Sequence, residues 1–68
     1  MIEWYVQNNR TGVVTTTSAV SKEKAANNVR WTNQELFYKL SDYCVLPKVM
    51  VDMRRANKMP VHWGNGQL

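Results

Sequence analysis

The sequence predicts an α+β fold: an N-terminal antiparallel β-hairpin packed against one long or two shorter helices, with a further C-terminal helix or strand. Three observations point to it. Residues 2–7 alternate apolar and polar, with Ile2, Trp4 and Val6 on one face and Glu3, Tyr5 and Gln7 on the other. A turn cluster, Asn8-Asn9-Arg10-Thr11-Gly12, separates that run from a Val/Thr-rich segment over 13–20. From Ser21 onward the apolar spacing changes from two residues to three and four, which is the helical period.

The hairpin follows from the first two observations. Asn and Gly tolerate the positive φ that short hairpin loops require. The β-branched residues of 13–20 are stiff at χ1 and suit a pleated strand. A lone hairpin is marginal in water, so its apolar face needs a cover. The next segment provides one. Ser21 is placed to cap a helix, and Lys22-Glu23-Lys24-Ala25-Ala26 are mostly good helix formers. Small or apolar residues recur at Ala25, Val29, Thr32, Leu36, Leu40 and Tyr43. Two arrangements fit that stripe. One is a single helix over 21–43. The other breaks near Trp31, with Thr32-Asn33-Gln34-Glu35 as a capping box that starts a second helix. In either arrangement Glu35 and Lys39 stand four apart, in the favourable order for a helical ion pair, and Trp31 is expected to pin helix to hairpin.

Cys44-Val45-Leu46 is expected to be extended, because the residue before Pro47 is pushed out of the α region. Residues 47–58 fit a helix better than a strand. Pro47 suits the first helical position, and Arg54, Arg55 and Lys58 suit the negative end of the helix dipole. The stripe Leu46, Val49, Met50, Met53 and Ala56 would face inward. Asn57 and Pro60 supply the stop. Residues 63–68, polar and glycine-rich, are expected to be a mobile tail.

At 68 residues the chain is expected to be one domain, residues 1–68, with a small core. The single cysteine excludes an intrachain disulfide, and Cys44 with His62 is too few ligands for structural zinc. No metal or cofactor is expected. No apolar run approaches the ~20 residues of a membrane helix, and no signal peptide is evident, so the expected setting is cytoplasmic. A Cys44–His62 nucleophile and base would need an orienting group and an oxyanion site. Neither is legible, so no catalytic residue is assigned.

Charge is uneven. Residues 1–47 carry five cations and four acids, whereas residues 48–68 carry Lys48, Arg54, Arg55 and Lys58 against Asp52 alone. The positive field of the last third favours an acidic protein, a nucleoprotein complex or nucleic acid. Arg grips carboxylates and phosphates as a bidentate fork, and Trp and Arg dominate protein hot spots. The candidate partner-binding residues are therefore Lys48, Arg54, Arg55, Lys58 and Trp63. A homodimer is compatible with the same composition.

The layout Asn8-Asn9-Arg10-Thr11-Gly12, a Thr/Val strand, then Ser21-Lys22-Glu23-Lys24-Ala25-Ala26-Asn27-Asn28-Val29-Arg30 resembles small proteins encoded by bacteriophages and prophages. The resemblance spans residues 2–31. Some phage proteins of this size inhibit host machinery by binding, anti-CRISPR proteins among them. The resemblance therefore implies a non-enzymatic inhibitor in the host cytoplasm. It carries over no functional residue.

Overall fold

Strand β1, Ile2–Asn8, runs down the middle of a three-stranded antiparallel sheet in a computed structural model that describes all 68 residues. Strand β2, Val14–Ala19, pairs on one side with Ile2 opposite Ala19 and Gln7 opposite Val14. Strand β3, Tyr43–Pro47, pairs on the other with Trp4 opposite Pro47 and Asn8 opposite Tyr43. Helix α1 is Lys22–Thr32 and helix α2 is Lys48–Ala56. Short 3-10 turns cover Leu40–Asp42 and Trp63–Gly66. The α+β class and its N-terminal hairpin stand as predicted, and the segment after Pro47 is the helix. No helix is long and apolar enough to cross a membrane.

The hairpin turn is organised by Asn8. Its side-chain Oδ1 accepts from the amides of Arg10 (2.8 Å) and Thr11 (3.3 Å), and Gly12 takes the positive φ of 79°. Helix α1 begins where Ser21 Oγ accepts from the Lys24 amide. Ala25, Ala26 and Val29 then pack on Trp4, Val6, Ala19, Tyr43 and Val45 to form the main core. Small alanines let the helix approach the sheet closely. The Trp4 indole donates to the Ala19 carbonyl at 3.0 Å, so its buried N–H is satisfied.

Of the two arrangements for residues 21–43 the break near Trp31 is the one found, but the second helix with its capping box, the Glu35–Lys39 pair and the Trp31 anchor all fail. Helix α1 stops at Thr32, and no second helix follows. Gln34 takes a positive φ of 56°, while the amides of Gln34 and Glu35 return to the carbonyls of Trp31 and Arg30. That is a helix-terminating Schellman arrangement, incompatible with a capping box opening at Thr32. Glu35 pairs with neither the box nor Lys39. Its carboxylate accepts from Asn8 Nδ2 (3.1 Å) and Tyr43 Oη (3.3 Å), tying the loop to both β1 and β3. Trp31 is 69% exposed and pins nothing to the hairpin, because α1 buries its opposite side.

The sheet is covered on both faces at β3. β3 is buried at Tyr43, Cys44, Val45 and Leu46 alike. Tyr43 and Val45 point toward α1, whereas Cys44 and Leu46 share the face of Tyr5, under α2 and the C-terminal turn. The predicted mobile tail is instead docked on β3. Gln67 forms a bridge with Cys44, and its side chain bonds Asn9, Cys44 and the Ser41 carbonyl. Gly66 is buried because it lies directly against the Val45 carbonyl, a place with no room for a Cβ.

Candidate functional site

Pro47 both ends β3 and caps α2, with φ −58° and ψ 132°, rather than standing at the first helical position. Strand therefore passes to helix without a loop. That junction fixes how α2 is rotated about its own axis, and the rotation is the reverse of the predicted one. Val51 is the residue wholly buried, at 0% exposure, while Val49 is 65% and Met53 61% exposed. At about 100° per residue, Val49, Met53 and Ala56 lie roughly 140–200° around the helix from Val51. Of the stripe read from the sequence as inward, Val49, Met53 and Ala56 thus face solvent, Met50 is half-buried, and Leu46 is buried within β3.

The sheet-facing side of α2 is built around Tyr5. Its hydroxyl donates to Asp52 Oδ1 at 3.0 Å, and Lys48 Nζ meets Asp52 Oδ2 at 2.8 Å, one helical turn apart. The Lys48 ammonium lies 5.8 Å and the Arg55 guanidinium 5.3 Å from the Tyr5 ring centre, both within cation–π range. Trp63 meets the same ring edge-on, with centroids 6.5 Å apart and planes at 76°. The hydrogen bond from Lys48, then that from Tyr5, holds the Asp52 carboxyl below the usual carboxylate range. The same contact with Asp52 raises Lys48. Two cationic heads of α2 thus lie over one aromatic ring.

Three of the five predicted residues, Lys48, Arg55 and Trp63, converge on Tyr5. Arg54 turns to the other flank of α2, where its guanidinium reaches the Pro60 carbonyl at 3.5 Å. Lys58 sits just beyond the helix with a positive φ of 55°, and its ammonium makes no ion pair. The predicted platform is therefore split across two flanks, with an apolar ridge between them.

That ridge borders two hollows. One, of about 520 Å³, is lined by Ile2, Glu3, Lys48, Val49, Asp52 and Met53, together with Ala56. The other, of about 210 Å³, is lined by Met50, Met53, Arg54, Asn57 and Met59. Met53 stands between them. Tyr5, Asp52, Val49, Met53 and Ile2 are the residues sequence reasoning missed. The available signal was β3: a run apolar at consecutive positions marks a sheet covered on both faces, which moves Tyr5 from a wet face to a packed one.

Cys44 is buried, with its sulfur 3.3 Å from Asn9 Nδ2 and 3.3 Å from Gln67 Oε1, and exposed His62 is not among its partners. No three His, Cys, Asp or Glu side chains come together to hold a metal.

No protein-family model, curated protein or solved structure matches the chain.

Proposed function

We propose that the chain is a non-enzymatic binding protein of a phage or mobile element. It docks on an acidic host protein, or a protein surface of a nucleoprotein complex, through the outward side of α2 and modulates that target. One observation carries the reading: α2 turns Val49 and Met53 to solvent between two cationic flanks, Lys48 and Arg55 on one side and Arg54 on the other. An exposed apolar ridge costs free energy in water and is recovered by a complementary protein groove. Methionine is polarisable and adapts to irregular surfaces. Phosphates offer such a ridge nothing, so a protein target fits better than bare nucleic acid. The cations around the ridge then select an acidic rim and speed encounter.

Capture from a bacterial lysate with and without nuclease tests this, using wild type, the double variant Val49→Asp/Met53→Asp, and the double variant Arg54→Glu/Lys58→Glu. Arg55 is left in place because its guanidinium covers Tyr5. The expected result is a protein retained by wild type after nuclease treatment and lost by both variants. Material released by nuclease, bound equally by the Val49→Asp/Met53→Asp variant and weakened by orders of magnitude at moderate salt, would assign the surface to nucleic acid instead.

A further inference from the structure

The two edges of the sheet are treated differently. The β3 edge is closed: Gly66 packs on the Val45 carbonyl and Gln67 bridges Cys44. The β2 edge is open. The Asn8 amide bonds the Val13 carbonyl, which makes those two a hydrogen-bonded pair. In an antiparallel ladder such pairs alternate, so Thr15, Thr17 and Ala19 bond inward to β1 while Val14, Thr16 and Ser18 direct their amides and carbonyls outward. Outside the ladder, none of these backbone groups bonds another backbone group. The one internal partner is Asn28, whose amide reaches the Ser18 carbonyl at 3.4 Å and leaves it a second lone pair.

An exposed edge is ordinarily protected by charge, proline or a bulge. This one has none of the three. Residues 11–21 contain no charged side chain and no proline, in a protein of net charge +4. The register β1–β2 runs without interruption from Ile2 to Gln7.

We infer that β2 pairs antiparallel with β2 of a second copy, about a two-fold axis through Thr16, to make one continuous six-stranded sheet. The edge is self-complementary about that residue. Val14 faces Ser18 of the second copy, Thr16 faces Thr16, and Ser18 faces Val14. Each facing pair exchanges two bonds, giving about six main-chain hydrogen bonds. Threonine opposite threonine is a favourable cross-strand pair. Residues 11–21 themselves bring no charge to a seam between two cationic molecules. A closed two-fold dimer uses up both copies' free edges, so assembly stops there.

The proposal does not rest on the α2 surface, and the two fail separately. Sedimentation equilibrium of the full chain up to about 1 mM, the concentration at which even a millimolar Kd is half-satisfied, reads the mass. Wild type is expected to pass from monomer to dimer, and Val49→Asp/Met53→Asp to do the same. Thr16→Lys places two ammonium groups opposite each other on the axis and should weaken the dimer at least tenfold. Thr16→Pro removes an outward amide that β1 does not use and should do likewise, with circular dichroism showing both variants folded. A wild-type chain that stays monomeric overturns the proposal. So does a dimer that survives Thr16→Lys, which keeps the test decisive if the proline variant unfolds.

Discussion

Replacing Val51 and Met53 separately by alanine reads out the rotation of α2. Val51→Ala removes two methyl-sized groups from a site with no exposure. At ~0.8 kcal/mol per buried carbon the transfer loss is about 1.6 kcal/mol, and an incompletely collapsed cavity adds to it. Alanine's better helix propensity returns roughly 0.5 kcal/mol. The net destabilisation is therefore about 1–2 kcal/mol, the upper end applying where the cavity stays open. Met53→Ala alters a residue 61% exposed and should fall within about 0.5 kcal/mol of wild type. Urea denaturation separates the two. With m near 1 kcal/mol/M, as expected at the small end of the size range, Val51→Ala should lower the midpoint by ~1–2 M and leave m unchanged, while Met53→Ala moves it by half a molar or less. If α2 carried its apolar stripe inward, the order would invert, since a buried Met→Ala costs ~2–5 kcal/mol. A larger loss for Met53→Ala than for Val51→Ala would refute both the rotation and the binding surface derived from it.

Both helices end on a non-glycine residue in the left-handed region, Gln34 at φ 56° and Lys58 at φ 55°, so Lys58→Gly should stabilise by about 1 kcal/mol in the same titration, by relief of Cβ crowding. Gly66→Ala should cost roughly 1–3 kcal/mol, because the new methyl meets the Val45 carbonyl and lies 2.9 Å from Leu46 Cδ2; a neutral result would show the tail undocked from β3. Burial, then the Glu35 carboxylate, pushes the Tyr43 phenol up to about 12 from the ordinary 10.0. The folded state therefore holds that proton more tightly than the unfolded state. Stability from this site is complete below pH 10 and is lost as pH rises through 12. In an alkaline absorbance titration the Tyr43 phenol should give a late step near pH 12, and Tyr43→Phe should remove it.

The elements that local chemistry controls were legible. Trp4 and Val6 alternate with Glu3 and Tyr5 as a strand must, Ser21 caps the helix it was placed to cap, and the segment after Pro47 is helical over Lys48–Ala56. Three features were not. The loop after Thr32 depends on Glu35 finding Asn8 and Tyr43, partners 27 and 8 residues away. Docking of the tail depends on Gly66 fitting a single carbonyl of β3. The rotation of α2 depends on Pro47 serving strand and helix at once. An apolar stripe says which side of a helix prefers burial, but a loop-free junction leaves the helix no freedom to turn that side inward.

Of the candidate site, the sequence located the segment and its cations but not their arrangement. Lys48, Arg55 and Trp63 meet only because Tyr5 lies beneath them, on a strand more than forty residues earlier. What the chain order determined alone was the kind of each element and the excess of positive charge after Pro47, because propensity, capping and composition act within a few residues. Which side of α2 meets water, which sheet edge stays open and where the tail rests were decided by tertiary contacts. Those are settled by steric fit and by hydrogen bonds between distant residues, and no local pattern encodes them.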